Sequence, residues 1–357
     1  MTGKERIQAI LKHEPTDRIG LFEQFWNGTH ETWAKQGHIS KDERLTKHFD
    51  FDIELCGVFN LIADLQAKEV VVAQDEDTCT YLDGNGATMR RLKDRSGTPE
   101  HVDFLVKERE QWETLIKPKL TATPDRIDFH TYREMRRIAK EEQRFFALCG
   151  LNVFECIHPV CGHETMLAAM ILDPEWVQDM ADTYARLIVS LQKMLFEQEG
   201  VPDGIWYFED MGFKGSPFMS PQFYRDLIQP AHKHTISFAK QHQLPVIMHS
   251  CGFIEPLLPD MIDAGIDCLQ AMEVKAGMDL LRIQKNYGDK IALIGGIDVR
   301  SLYSNDKAVI EAELQSKIPL VKQGHNYVLH SDHSIPPTVD YESYRFFIER
   351  GLELGAF

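Results

Sequence analysis

The chain has 357 residues, of which 43% are hydrophobic and 26% charged, and its formal net charge is −16 at pH 7. This composition is typical of a folded enzyme and excludes a disordered or fibrous chain. The acidic excess also argues against nucleic acid or an anionic membrane surface as a partner, because their phosphate groups would be repelled.

The N-terminus and the cysteines indicate the compartment. Residues 1–7 open a polar amphipathic pattern with neither a signal peptide nor a transit peptide, and no membrane-spanning segment follows. The seven cysteines are odd in number and irregularly spaced, which predicts free thiols rather than a disulfide framework. We therefore expect a cytoplasmic protein, and the sequence leaves open whether it forms a homo-oligomer.

Short apolar runs alternate with amphipathic helical patterns, which predicts βα units around a parallel sheet. The predicted strands cover residues 18–23, 51–55, 145–150, 204–209, 244–249, 268–273, 290–296 and 326–330. The predicted helices cover residues 174–199, 221–243, 255–264, 280–287 and 306–322. Eight strands with intervening helices predict an α/β fold, a single-domain (β/α)8 TIM barrel spanning residues 1–357.

Residues from about 67 to 130 depart from this alternation. Valine-rich segments there are broken by Asp83-Gly-Asn-Gly86, which is typical of the turn between two strands. We predict an insertion in the barrel, a hairpin followed by helices, that borders the barrel mouth.

Polar or ionisable residues follow almost every predicted strand. Catalytic groups of TIM barrels lie at the C-terminal ends of the strands, where the βα loops form a concave face. We therefore expect a functional site built from these strand-end residues. They are Glu23, Asn152, Glu209, Asp210, His249, Cys251, Glu273, Asp298, His330, Asp332 and His333.

The segment Pro245-Val-Ile-Met-His-Ser-Cys-Gly252 ends a predicted strand with two potential metal ligands. His249 and Cys251 can lie on one face, because side chains two residues apart on an extended chain point to the same side. Alternatively, Cys251 is a buried thiol and His249 a hydrogen-bonded core residue. Catalytic zinc usually has three protein ligands and an open position, and the last strand offers His330 or His333 as the third.

The other strand-end residues also have functional and structural alternatives. Glu209 and Asp210 suit acid–base catalysis, but they could instead cap the following loop. Glu273 is a further candidate catalytic carboxylate, with pairing to a nearby cation as the alternative. Trp26 could form a wall of a substrate pocket or belong to the core. The candidate substrate-binding residues are Glu23, Trp26, Asn152 and His330.

Several segments along the chain carry a family resemblance. They are residues 4–19, His249-Ser-Cys-Gly252, residues 279–289, Gly295-Gly-Ile-Asp298 and Ser331-Asp-His-Ser-Ile-Pro-Pro337. Together they resemble the uroporphyrinogen decarboxylase superfamily over nearly the whole chain, which implies a (β/α)8 barrel. That superfamily includes the tetrapyrrole decarboxylase and zinc-dependent methyltransferases that exchange methyl groups with corrinoid proteins.

The segment after the first strand separates these two branches. The decarboxylase has an arginine-rich loop there that holds the substrate's carboxylates, whereas this chain has no arginine between Arg18 and Arg44. An acidic and aromatic segment cannot neutralise many carboxylates. We therefore favour the methyltransferase branch. The alternatives are a metal-free decarboxylase of a small or aromatic acid, using His333 and a carboxylate, and a binding protein without turnover.

In the methyltransferase branch a His-x-Cys pair and a cysteine after the last strand bind zinc, and the resemblance carries the pair onto His249 and Cys251. His333 stands near the position of the third ligand, and His330 and Glu209 are the alternatives for completing the metal shell. Zinc with one thiolate and two neutral imidazoles keeps a net positive charge and is a stronger Lewis acid than zinc with two thiolates. We therefore predict demethylation of an O-methyl compound, such as a methoxylated aromatic, with transfer to Co(I) of a corrinoid (cobalamin) carried by a separate protein.

Overall fold

Eight parallel strands form the main sheet of the structure, a computed structural model that describes residues 1–93 and 99–357. The strands in chain order are β1 Gly20–Leu21, β2 Ile53–Gly57, β3 Val70–Gln74, β4 Thr78–Leu82, β5 Ala87–Leu92, β6 Glu100–Phe104, β7 Phe145–Leu151, β8 Gly204–Phe208, β9 Gly212–Phe213, β10 Ser216–Pro217, β11 Val246–Ser250, β12 Cys268–Ala271, β13 Ala292–Gly295 and β14 Tyr327–Leu329. The main sheet has the order β1-β14-β13-β12-β11-β8-β7-β2. Each apolar run predicted as a strand overlaps one of its strands.

The two edge strands of the sheet, β1 and β2, approach each other through Asp52. The backbone N–H of Asp52 donates to the carbonyl oxygen of Leu21 at 2.8 Å, and its carboxylate accepts from the N–H of Leu21 at 2.7 Å. Arg18 holds the same carboxylate at 2.9 Å. This buried contact links both edges of the curled sheet, so the fold is TIM-barrel-like, and the α/β prediction is confirmed at that level.

Helices surround the sheet. In chain order they are α1 Gly3–Ile10, α2 Asn27–Lys35, α3 Leu45–His48, α4 Arg109–Gln111, α5 Phe129–Glu141, α6 Val153–Leu172, α7 Pro174–Glu199, α8 Pro221–Phe223, α9 Gln229–Gln241, α10 Leu258–Ala264, α11 Leu280–Tyr287, α12 Val299–Tyr303, α13 Lys307–Val321 and α14 Tyr341–Gly355. Within the described part of the chain, no helix is long and apolar enough to cross a membrane.

Local signals explain why α7 was predicted to the residue and α6 was missed. Asp173 caps α7 by accepting from the N–H of Trp176, Pro174 occupies its first turn, and Gly200 ends it with φ 81°. Within α6, in contrast, Pro159 and the non-helical Gly162, with φ 78°, interrupt the periodicity from which a helix is predicted.

Between β2 and β7 lies a second, antiparallel sheet of four strands with the order β3-β4-β5-β6. Its central turn forms at the predicted place, because Oδ1 of Asp83 accepts from the N–H groups of Asn85 at 2.9 Å and Ala87 at 2.8 Å. The prediction for this range was a single hairpin followed by helices. The structure adds the outer strands β3 and β6, and β3 is exposed along its whole length, so no buried face marks it in the sequence.

Candidate active site

Three potential metal ligands meet at the C-terminal ends of β8 and β11. They are Asp210, His249 and Cys251, whose ligand atoms lie within 4.8 Å of one another. We call these three side chains the metal cluster. Nε2 of His249 lies 3.4 Å from Sγ of Cys251 and 3.2 Å from Oδ1 of Asp210. One nitrogen, one sulfur and one oxygen donor at this spacing suit a zinc ion with an open coordination position.

Two glycines allow the loops after β8 and β11 to touch. Gly252 has φ 80°, which favours glycine, and a Cβ atom there would lie 2.2 Å from the carbonyl carbon of Gly212. A Cβ atom on Gly212 would lie 2.5 Å from the carbonyl oxygen of Cys251. This close approach lets the N–H of Cys251 donate to Oδ1 of Asp210 at 2.7 Å. The backbone contact therefore brings Asp210 to the His-x-Cys pair.

A chain of polar side chains leads from His249 across the barrel interior. Nδ1 of His249 hydrogen-bonds Oε1 of Gln270, and Nε2 of Gln270 lies 3.4 Å from Nε2 of His330. That histidine nitrogen lies 3.1 Å from Oε1 of Glu23. Because the amide oxygen of Gln270 can only accept, Nδ1 of His249 carries the proton. Burial alone would lower the pKa of His249, but Cys251 and Asp210 outweigh it and raise that pKa, so Nε2 also holds a proton until a metal displaces it. Nε2 is therefore the nitrogen that a metal would bind.

Burial sets the protonation of this interior. It raises the pKa of Glu23 to about 8 and lowers the pKa of His330 to about 3, which favours the neutral form of both side chains at pH 7. Burial would also raise the pKa of Asp210, but the hydrogen bond and charge of His249 outweigh it and lower that pKa. The metal cluster therefore has a charged carboxylate beside an uncharged interior.

A cavity of about 580 Å³ opens over the metal cluster. We call it the polar cavity, and its lining includes Asp210, Cys251, Glu273, Lys275, His158 and His163. Glu273 accepts from the N–H of Gly252 at 2.7 Å and pairs with Lys275 at 3.1 Å. This carboxylate thus both supports the turn after Cys251 and faces the cavity.

Glu209 and Asp210 are adjacent in sequence but point to opposite sides of the chain. The side chain of Glu209 is fully buried, and it accepts from the N–H groups of Phe154 at 2.8 Å and Glu155 at 3.0 Å and pairs with His232. It therefore caps the start of α6. Of the two predicted acid–base residues, the structure brings only Asp210 to the cavity.

Three other candidate residues are not part of the lining of the polar cavity. Trp26 is 41% exposed and stacks on the ring of His333, with 5.9 Å between ring centroids. His333 does not belong to the group of three potential ligands, in which Asp210 stands instead. Asn152 is fully buried at the start of α6, and its side-chain atoms have no hydrogen-bond partner among the described residues.

Some residues near the site had not been singled out from the sequence. Gln270 lies inside the apolar run of β12, where a polar residue is unusual enough to have been a signal. His232 lies in α9 and reaches Glu209 only through the tertiary fold, so nothing local indicates it. The same is true of His163, which stacks on His158 with 4.3 Å between ring centroids.

Comparisons with known proteins relate this arrangement to a family and to two methanogen proteins. The family model described as uroporphyrinogen decarboxylase (URO-D) matches residues 97–353. A methylated-thiol–coenzyme M methyltransferase from Methanosarcina mazei is 27% identical over 146 residues, which are 41% of this chain and only 37% of that protein's length. The solved structure of a methyltransferase from Methanosarcina mazei is 17% identical, covers 100% of both chains and has a TM-score of 0.70. At that identity the structural likeness shows the fold alone.

Proposed function

The chain belongs to the uroporphyrinogen decarboxylase (URO-D) family, and from this premise we propose that it is a zinc-dependent methyltransferase. In this proposal it moves a methyl group from an O-methyl compound to Co(I) of a corrinoid held by a separate protein. The observation that carries the proposal is the convergence of Asp210, His249 and Cys251 at the mouth of the barrel.

We assign His249 and Cys251 as two zinc ligands and Asp210, rather than His333, as the third. When bound, zinc supplies a Lewis acid that polarises the oxygen bearing the methyl group. Gln270 orients His249 through its hydrogen bond to Nδ1. Glu273 supports the turn at Gly252 and, with Lys275, forms the polar wall that a substrate would face.

The donor set supports an oxygen-bound methyl group. Two anionic ligands, the Cys251 thiolate and the Asp210 carboxylate, would neutralise the charge of zinc, unlike the set with two histidines. A carboxylate is a harder donor than a second thiolate, however, and leaves zinc a harder acid, which suits an oxygen leaving group. The relative from Methanosarcina mazei is named for a methylated thiol, so methylated sulfur is the competing donor class.

The transfer is balanced without a further redox reagent. The methyl carbon–oxygen bond breaks and its electron pair stays on the oxygen, which takes a proton from water. The electron pair of the new carbon–cobalt bond comes from Co(I). Exposed apolar side chains near the strand ends offer a docking face for the corrinoid protein, and they include Trp26, Leu151, Phe213 and Tyr303.

The test mixes the zinc-loaded protein, a reduced corrinoid protein and single methyl donors. The donors are methoxylated aromatics, small O-methyl compounds and methylated thiols, and the absorption spectrum of the corrinoid is followed. We expect methylation of the corrinoid with an O-methyl donor and none with the Cys251→Ser variant. Methylation of the corrinoid by methylated thiols, and not by O-methyl compounds, would show that the methyl donor is a sulfur compound. No methylation at all, with metal-independent release of carbon dioxide from an acid, would favour the decarboxylase.

A further inference from the structure

A second cavity, of about 490 Å³, lies at the C-terminal ends of β2 and β7. We call it the neutral cavity, because no residue of its lining is charged. Its walls include Phe59, Leu61, Ile62, Leu151, Tyr184 and Phe208. The polar cavity, in contrast, is lined by Asp210, Glu273, Lys275 and Arg300 among others. A cavity with charged lining residues and a cavity without them thus share the face formed by the strand ends.

The thiols in the neutral cavity do not introduce charge. Burial raises the pKa of Cys149 to about 12 and raises the pKa of Cys156 well above its ordinary value. Both thiols therefore remain protonated at neutral pH. A charged ligand in this cavity would lose its hydration without gaining a counter-charge, which is costly.

Phe208 connects the neutral cavity to the metal cluster. It lies in register with Leu151 of β7 on one side and with His249 of β11 on the other. Side chains in register on parallel strands point to the same side of the sheet, so these three form a row across the mouth. The rings of Phe208 and His249 pack edge to face at 5.2 Å. The neutral cavity thus begins one strand away from a proposed zinc ligand.

Gly150 keeps the neutral cavity open. A Cβ atom at this position would meet nothing within 4 Å, and its φ is not in the left-handed region. The backbone conformation therefore does not require glycine, unlike that of Gly252. Gly150 lines the cavity and is in register with Tyr207, so a larger side chain at position 150 would extend into the open space on the helix side of the sheet.

Two amide groups supply polar contacts at the edge of this cavity. Oδ1 of Asn60 accepts from the N–H of Ile62 at 3.1 Å, and Oδ1 of Asn85 accepts from the N–H of Ala63 at 3.0 Å. Neither side-chain amide nitrogen donates a hydrogen bond to any residue that the structure describes. These two donors suit uncharged oxygen acceptors such as ethers and hydroxyls.

We propose that the neutral cavity binds the apolar body of an uncharged methoxylated aromatic, with the methyl-bearing oxygen directed past Phe208 toward the metal cluster. The volume lies in the usual range of small-molecule sites. This inference rests on the proposed methyl transfer and adds to it the substrate class and the residues that select it.

The test compares two probes that differ in charge. Calorimetry measures the binding of 2-methoxyphenol, which is neutral at pH 7, and of 4-hydroxy-3-methoxybenzoate, which carries a carboxylate, to the full-length zinc-loaded protein. We expect the wild type to bind the neutral probe at least about tenfold more tightly than the anionic one. Equal or tighter binding of the anion, or no binding of the neutral probe, would overturn the proposal.

A size series at Gly150 then locates the binding. Gly150→Ala adds a Cβ atom that meets nothing and should change the dissociation constant less than about twofold. Gly150→Leu should fill the cavity and weaken binding of the neutral probe at least about tenfold, while circular dichroism and zinc content stay those of the wild type. Unchanged binding by a folded Gly150→Leu variant would contradict the assignment.

A second variant tests the same proposal if Gly150→Leu does not fold. Ile62 is 40% exposed at the edge of the cavity, so Ile62→Lys should fold. This variant should weaken binding of the neutral probe and strengthen binding of the anionic one. If neither effect is seen, the probes do not bind in the neutral cavity. Methyl transfer that is equally fast in Gly150→Leu would show that the neutral cavity does not bind the methyl donor, and the proposed function would be unaffected. Gly150-dependent binding without any methylation of the corrinoid would reject the function instead.

Discussion

Oδ1 of Asp210 lies 3.2 Å from Nε2 of His249, the nitrogen that Gln270 leaves available to a metal. Oδ1 also accepts the N–H of Cys251 at 2.7 Å, so the carboxylate is already tied to both members of the His-x-Cys pair. The proposed oxygen ligand therefore follows the strand next to the pair. The sequence predicts His333 as the third ligand, and in the structure its ring stacks on Trp26.

This relationship distinguishes two candidate zinc shells. Asp210→Asn should lower zinc affinity at least about 100-fold, because an amide is a much weaker ligand than a carboxylate, whereas His333→Asn should retain the metal. Zinc content is measured after dialysis against a graded chelator, with Cys251→Ser as the positive control for loss. Greater loss of zinc in His333→Asn than in Asp210→Asn would identify His333 as the third ligand.

Gln270 should control metal affinity without binding the metal. Gln270→Leu removes the acceptor for Nδ1 of His249, and we expect about 10- to 100-fold weaker zinc binding. Gln270→Glu keeps an acceptor oxygen and should largely restore binding. The visible spectrum of the cobalt-substituted protein reports the ligand geometry directly. Identical spectra and affinities in the leucine variant would show that the hydrogen bond does not orient His249.

Glu209 should matter for stability more than for metal binding. Glu209→Gln places an amide N–H₂ where two backbone N–H groups and His232 need acceptors, so the free energy of unfolding should fall by about 2–4 kcal/mol. The exposed Glu164 on α6, the helix whose start Glu209 caps, offers a control, and Glu164→Gln should change stability little. Urea unfolding measures both. Zinc lost in proportion to folded Glu209→Gln protein would make Glu209 a ligand.

His163 should make the fold sensitive to mild acid. Burial, with the neighbouring His158 and His101, lowers the pKa of His163 to about 4 from an ordinary value of 6.5. Between these values the unfolded chain takes up a proton that the folded chain does not. Stability therefore falls as pH drops from about 6.5 toward 4, and this contribution is fully present above 6.5.

The His163 effect is measured by urea unfolding at several pH values. His163→Gln should reduce the loss of stability below pH 6.5, while His234→Gln, at an exposed position, should leave the pH profile unchanged. Parallel profiles for the wild type and His163→Gln would show that this histidine does not contribute to the loss of stability in acid.

Much of the sheet follows from the sequence because its strands are continuous apolar runs bounded by polar residues. The shared face of His249 and Cys251 follows from the same alternation. That rule also separates Glu209 from Asp210, since adjacent residues on an extended chain point to opposite sides. The sequence predicted the same role for both. Applying the alternation there would have assigned Glu209 to the core side and left Asp210 at the mouth.

The rest of the site depends on contacts between distant segments. Asp210 reaches Cys251 only because Gly212 and Gly252 allow two loops to touch, and no local pattern encodes that approach. The stacking of Trp26 on His333 similarly joins loops from opposite ends of the chain. Both contacts arise from tertiary packing, which propensity and periodicity do not report.

The pairing of β1 with β14 sets the order in which a growing chain can build the site. Gly20 lies in register with Val328, so the pairing of β1 with β14 forms only after the ribosome has passed residue 328, whereas the contact of Leu21 with Asp52 can form much earlier. Asp210, His249 and Cys251 are all synthesised before β14. The contact between Glu23 and His330 comes later, because it needs the last strand. The proposed metal ligands can thus assemble on a partly built sheet, and the final strand then completes the polar chain that links His249 to His330 and Glu23.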